Sequence, residues 1–350
     1  MEVRRDIFGN ARRGEKIYLY TLSNDLGVTI KITNYGGIIT SVKTPDKHGE
    51  KANIVLGFKA LEDYLTDAYI ENCPCFGCIT GRYANRISKG KFSIGNTEYT
   101  LPINNGNNCL HGGITGFDKV IWVPRMIEKP DLVGVELKYR SLHMEEGFPG
   151  NVDLTVTYTL NHKNELIIDY KAVTDRETVL NLTNHTYFNL TGKSGEILDH
   201  TLYIPANTRT VNNNELIPTG AFEEVAGTPY DFTTPATIGS RIAALPDGYD
   251  LNYVLDNPNQ KLVKAALLSE DSSGRSVEVF TTEPGLQIYS GYYIPELHGK
   301  NGEYFKKYSG FALETQHYPD SPNHPEFPTT SLKPGETFRS KTIYKFGIIK

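Results

Sequence analysis

The sequence predicts an all-β protein, a large antiparallel β-sandwich with few short helices, and three observations carry that expectation. Tyr (22) and Phe (15) are abundant against 3 Met, and strands favour aromatic side chains. The 32 Gly and 19 Pro suit the tight turns that join short strands. Apolar and polar residues alternate with period two from end to end of the chain, as in strands with one buried face.

The alternation marks the elements in order. Val28, Ile30 and Ile32 interleave with Thr29, Lys31 and Thr33. Val152, Leu154, Val156, Tyr158 and Leu160 interleave with Asp153, Thr155, Thr157 and Thr159. Each run reads as one half-buried strand. NYGG at 34–37, PDKHGE at 45–50, NHKNE at 161–165 and EDSSGR at 270–275 are rich in turn-forming residues and read as hairpin connections. Helical patterns are short and few, the best being around Leu61–Asp67 and Ser240–Leu245, and neither could supply the crossovers of a parallel sheet. No internal repeat, low-complexity tract or linker divides the chain, so a single domain over residues 1–350 is expected.

The formal net charge is −5, with Lys and Arg spread along the chain. No basic stripe is available to neutralise phosphates, which argues against nucleic acid as a partner. MEVRRDIFGN has no apolar segment behind its charges, and no later run approaches the ~18 apolar residues of a membrane span. A cytoplasmic protein with no membrane partner, a monomer or weak dimer, is expected. The four cysteines are too few for a disulfide framework. Cys73, Cys75 and Cys78 crowd into NCPCFGC and, with Cys109, offer the thiolates of a zinc site. Read as a strand, however, the segment turns Cys73 and Cys75 to one face and Cys78 to the other. Reduced, mostly buried thiols and no metal are expected.

Chemistry concentrates in four segments. In TVLNLTNHTYFNL, 178–190, Leu180, Leu182, Phe188 and Leu190 share one face, and Asn181, Thr183, His185, Tyr187 and Asn189 share the other. A solvated face would carry Lys and Glu, so this one reads as facing a neutral polar ligand, with a satisfied structural face as the alternative. SGFALETQ, 309–316, places Glu314 in strand register beside Ala312 and Gln316, where spacing alone favours a solvated carboxylate. NCLHGG, 108–113, sets His111 before two glycines, where backbone can approach a ligand or simply turn. GRYANRI, 81–87, offers Asn85 and Arg86 to hydroxyl groups, though surface placement is the ordinary fate of either.

Together these segments form a larger pattern. GRYANRISKGKF, NNCLHGGITGFDKVIW, NLTNHTYFNLTG, GYDLNY, TTEPGLQIYSG and SGFALETQHYPDSPNHPEFP resemble, in order and spacing, the motifs of the aldose 1-epimerase (galactose mutarotase) family. The resemblance runs from the NYGG turn to the terminal LKPGETF. It implies a large antiparallel β-sandwich with a broad cleft, with Glu314 as catalytic base, His185 as acid and His111 as a second active-site histidine. Asn85, Arg86, Asp250 and Gln287 match positions that hold the sugar's hydroxyls. Two departures touch the expected pocket rim: Leu251 stands where relatives often have histidine, and His317-Tyr318 where an Asn-Trp pair is common.

The implied reaction opens the pyranose, turns the aldehyde about C1–C2 and recloses the ring on its other face. A base takes the proton of the C1 hydroxyl as an acid protonates the ring oxygen, and closure reverses both transfers. An ionised Glu314 and a protonated His185 suit those roles, while Tyr187 is placed to cover an apolar sugar face. No cofactor is called for, and neither G-x-G-x-x-G nor a P-loop occurs. A non-catalytic carbohydrate-binding sandwich and a hexose 6-phosphate epimerase remain the alternatives. A glycosidase using Asp250 with Glu314 as its carboxylate pair is a third.

Overall fold

The four turn motifs join neighbouring antiparallel strands, as their composition predicts. NYGG leads from Thr29–Thr33 to Ile39–Pro45, and PDKHGE from there to Lys51–Asn53. NHKNE joins Val152–Asn161 to Glu165–Thr174, and EDSSGR joins Val263–Ser269 to Arg275–Thr281. The structure is a computed structural model that describes residues 1–299 and 302–349. Three sheets dominate it, of five, nine and six strands. Every pairing between their strands is antiparallel among the described residues.

The six-stranded sheet positions the site. Its order is Tyr187–Phe188, Phe311–Gln316, Gly285–Tyr289, Asp250–Val254, Thr208–Asn212 and Pro218–Glu224. Side chains alternate across it. Leu251, Tyr253, Leu286, Ile288, Phe311 and Leu313 fall on one face and join the main core. From the nine-stranded sheet Val135, Tyr158, Ile168, Val279 and Tyr344 enter the same core. Phe188 and Tyr344 meet across it with ring centroids 5.2 Å apart, and the Tyr344 hydroxyl donates to the Leu313 carbonyl at 3.1 Å. The opposite face of the same three central strands carries Asp250, Gln287, Tyr289 and Glu314. Packing therefore fixes one face and leaves the other for chemistry, as expected for a sandwich.

Helix is sparse, as predicted. Leu61–Tyr64 and Asp67–Asn72 form two short helices in place of one. They break at Thr66, whose hydroxyl caps the second by accepting from the Tyr69 amide at 3.3 Å. Ser240–Leu245 falls largely within a 3-10 helix, Ile238–Ala244. No helix of the described residues is long and apolar enough to cross a membrane.

Two local readings need correction. NCPCFGC is not a strand: Cys73 ends a helix in left-handed backbone (φ 40°), and Cys75 is left-handed too (φ 56°). Cys73 and Cys75 meet with sulfurs 3.3 Å apart, while Cys109 packs with Tyr83, Ile87 and Phe92 in a separate cluster. The four thiols are thus not gathered. Residues 178–190 are not one strand either. Thr178–Val179, Thr183–Asn184 and Tyr187–Phe188 pair in turn with Ser331–Leu332, Ile79–Thr80 and Phe311–Ala312. The segment threads among other strands and changes partner every few residues, which alternation cannot reveal.

Candidate active site

Each candidate side chain is set by a local device. Glu314 lies on the strand Phe311–Gln316, beside Gln287 in register. Asp250 stands on the strand beyond, where it accepts a hydrogen bond from the Gln287 amide. His185 is held through its backbone: its N–H donates to the Cys78 carbonyl at 2.9 Å, and its carbonyl accepts from the Gly77 N–H at 2.9 Å. Gly77 is at φ +70°, and a Cβ there would collide with the Ile39 carbonyl, so the close approach requires glycine. Asn85 and His111 both adopt left-handed backbone, φ 62° and 51°, a conformation costly for such residues and frequent at functional sites. They hold one another: Asn85 N–H donates to His111 Nδ1 at 3.1 Å, and His111 N–H to the Asn85 carbonyl at 3.0 Å.

These residues surround one cavity of about 400 Å³, within the size range of small-molecule sites. Asn85, Arg86, His111, His185, Tyr187, Asp250 and Glu314 all line it. His185 Nε2 lies 3.4 Å from Glu314 Oε1, and the His111 ring meets His185 edge-on at 5.2 Å between centroids. Arg86 Nη1 is 4.0 Å from Asp250 Oδ2, and its Nε donates to Asn105 Oδ1 at 3.1 Å. Glu314 Oε2 and His185 Nδ1 are buried without a protein partner. Buried polar atoms ordinarily have one, so these two mark places where a polar ligand fits.

The expected site residues are not all placed alike. Gln287 does not line the cavity; its amide is spent on Asp250. Tyr187 reaches the cavity but lies stacked on His185 at 4.8 Å and edge-on to Phe76 at 5.4 Å, so it chiefly backs the imidazole. Of the polar face read in 178–190, Asn181 is consumed by Ala84 and His317 backbone, and Asn189 by Gly195 and Ser309 carbonyls. Leu251 points into the core and His317-Tyr318 line another hollow, so neither departure touches this rim. Tyr289, Tyr293 and Glu215 also line the cavity and went unread. Tyr289 was accessible to sequence reasoning, since it follows Gln287 by two and shares its face.

Burial sets the charges. Desolvation raises the Glu314 pKa well above its ordinary 4.5; the Asp250 charge adds to this and Arg86 opposes it. Desolvation pushes His185 down to about 4 from 6.5. His111 is lowered well below 6.5 by burial, with His185 and Arg86 adding to the effect. Burial also raises Asp250, against Arg86 and Gln287. Burial thus favours the uncharged form of each, with the pair's shared proton on the carboxyl in preference to the imidazole. An ionised Glu314 beside a protonated His185 would hold the same single proton, placed on the other partner. The difference follows from the cost of stripping water from charged groups. One ligand atom from each of His111, His185 and Glu314 lies within 4.8 Å of the others, a donor set that zinc accepts.

A sequence profile of the aldose 1-epimerase family matches residues 18–345. Galactose mutarotase of Mus musculus is 41% identical over 352 residues, 99% of both chains. That of Homo sapiens is 41% identical over 350 residues, again 99% of both. Aldose 1-epimerase of Escherichia coli (strain K12) is 35% identical over 341 residues, 95% of this chain and 96% of that one. The crystal structure of galactose 1-epimerase from Lactobacillus acidophilus NCFM superposes with a TM-score of 0.86 at 28% identity, covering 100% of this chain and 99% of that one. The chain belongs to the aldose 1-epimerase family. It is an isomerase that interconverts the anomers of an aldose.

Proposed function

We propose that the chain interconverts the α and β anomers of free hexoses, galactose and glucose, with Glu314 as base and His185 as acid. The observation that carries this reading is the 3.4 Å contact between Glu314 Oε1 and His185 Nε2 in the cavity wall, with Glu314 Oε2 left unpartnered. The proton resting on Glu314 passes to His185 Nε2. The carboxylate then takes the C1 hydroxyl proton while the imidazolium protonates the ring oxygen. Ring closure on either face reverses both transfers and leaves Glu314 ionised and His185 protonated, and return of the proton from His185 Nε2 to Glu314 restores the starting state. Asn85, Arg86 and Asp250 hold hydroxyls away from C1, and His111 stands beside His185 within reach of the same sugar.

Cavity charge favours a free sugar over a hexose 6-phosphate. Arg86 is the one Lys or Arg lining it among the described residues, and the carboxyl groups of Glu215 and Asp250 line it as well. Arg82 donates to the carbonyls of Pro149 and Gly150, and Arg209 pairs with Glu223 over the Tyr230 ring, both outside the lining. Polarimetry on freshly dissolved α-galactose, α-glucose and glucose 6-phosphate tests the proposal. Acceleration of the first two and not the third is expected. Equal acceleration of the phosphate, or none of any sugar, would refute it.

A further inference from the structure

The three clustered cysteines take no part in the proposed chemistry, yet they run from the cavity rim to the proposed acid. Cys73 is half-buried and lines the cavity beside Asn72 and Pro74. Its sulfur lies 3.3 Å from that of Cys75, which is 3% exposed and does not line the cavity. The Lys119 ammonium sits 3.5 Å from Cys73 Sγ and 2.6 Å from Asp118 Oδ2. The Cys78 thiol donates to the Cys75 carbonyl at 3.2 Å, and the Cys78 carbonyl accepts the His185 N–H at 2.9 Å. One residue earlier, Gly77 donates to the His185 carbonyl. The turn that carries the thiols is thus the backbone support of the imidazole.

We propose that Cys73 and Cys75 form a modification site, an oxidant-sensitive dithiol whose closure to a disulfide slows the enzyme by shifting the support of His185. Hydrogen peroxide is the oxidant. Cys73 releases its proton, and its sulfur attacks one peroxide oxygen as the O–O bond breaks; the hydroxide released takes up that proton as water. The Cys75 sulfur then displaces hydroxide from the Cys73 sulfenic acid, and this leaves as water with the Cys75 proton. Two thiols and one peroxide give one disulfide and two waters, with two electrons passing from sulfur to oxygen.

Three features favour this pair. Cys73 is on the cavity wall, open to a small oxidant. Lys119 supports a thiolate there, although the Cys75 hydrogen bond, burial and Asp118 together keep the Cys73 thiol raised. The second step is intramolecular over a gap of 3.3 Å, which favours bridging over further oxidation of Cys73. Cys78 is 1% exposed and bonded to backbone, and Cys109 lies in another cluster, so neither competes.

The test treats the intact protein with peroxide, alkylates the remaining thiols and maps the peptide holding Cys73, Cys75 and Cys78. A loss of two hydrogens between Cys73 and Cys75 is expected, with Cys78 alkylated and turnover reduced several-fold until dithiothreitol restores both. Cys75→Ala, compared with its own untreated protein, should form no bridge and instead leave Cys73 as a sulfenic acid that dimedone traps. Recovery of Cys73 and Cys75 both alkylated, a bridge to Cys78, or a bridged protein with unchanged turnover would each overturn the proposal.

Discussion

Because Glu314 and His185 are shifted in opposite directions, the stability of the fold carries a signature that each single substitution exposes. In the unfolded chain between their ordinary values of 4.5 and 6.5, the glutamate is ionised and the histidine protonated, one proton in all. In the folded chain the glutamate holds the proton and the histidine is neutral, again one proton. The pair's net contribution to the pH slope of stability is then near zero. His185 alone, with its pKa depressed to about 4, gives stability that is full above 6.5 and lost as pH falls toward 4. Glu314 alone, with its pKa raised, gives stability that is full below 4.5 and lost as pH rises through its folded value. Neither shift is caused by the other partner, so each survives the other's removal. Relative to wild type, Glu314→Gln should lose stability as pH falls from about 6 to about 5, and His185→Asn should gain it over the same interval. The double variant should follow wild type. Urea unfolding at the two pH values, read by circular dichroism, measures all four proteins against a common background. Parallel slopes for the two single variants would refute the opposed shifts.

The remaining predictions concern activity. Glu314→Gln and His185→Asn should each slow galactose mutarotation by about 10²–10⁴-fold, the usual worth of a positioned proton transfer, and the double variant should cost far less than the product if they act as one unit. The pH profile of kcat/KM should be bell-shaped, with limbs that belong to the pair: the acid limb marks a second proton entering and the alkaline limb the loss of the only one. Arg86→Ala should raise KM and slow turnover while the protein stays folded, and wild-type kinetics would remove Arg86 from the sugar site. Exhaustive chelation and dialysis should leave the rate unchanged; loss with EDTA and rescue by zinc would turn His111, His185 and Glu314 into a metal centre.

Much of the fold was legible because period-two alternation and turn chemistry are local. The strands at Thr29–Thr33 and Val152–Asn161 and all four hairpins follow from residues a few positions apart. The burial of Glu314 was not legible. Ala312 and Gln316 on its own side made that face look half polar and solvated, yet every residue of Phe311–Gln316 is buried. The strand is central in its sheet, with the core on one side and, on the other, the Cys75–Cys78 turn and His185, which are far away in sequence. The partner changes along 178–190 escaped detection for the same reason. Hydrogen bonds from residues 54, 56, 78, 82 and 84 decide where that chain pairs, and none of them is near it in sequence. The resemblance to a family supplied the site residues that spacing alone ranked as ordinary, and the cavity then separated Asp250, which lines it, from Gln287, which holds Asp250.

The same burial that conceals the site from sequence reasoning makes sense of its proposed chemistry. A reversible reaction that must run equally well toward either anomer gains nothing from a strong acid or a strong base held permanently charged. It needs one proton that two groups can exchange. Exposed to water, a glutamate and a histidine at neutral pH would sit near their ordinary values, with the carboxylate solvated and stable, and abstraction of a hydroxyl proton would be steeply uphill. Desolvation raises the basicity of the Glu314 carboxylate and lowers that of His185, which makes the first a better acceptor and the second a better donor once the proton has crossed between them. In the proposed mechanism the cost is a resting state with the proton on the wrong partner, and the 3.4 Å contact is the proposed route for its transfer. Widening that gap should therefore slow turnover even where both side chains remain. Gly77→Ala, which would push the backbone support of His185 against the Ile39 carbonyl, is a way to do so, and an undiminished rate in a folded Gly77→Ala protein would show that the contact is not needed.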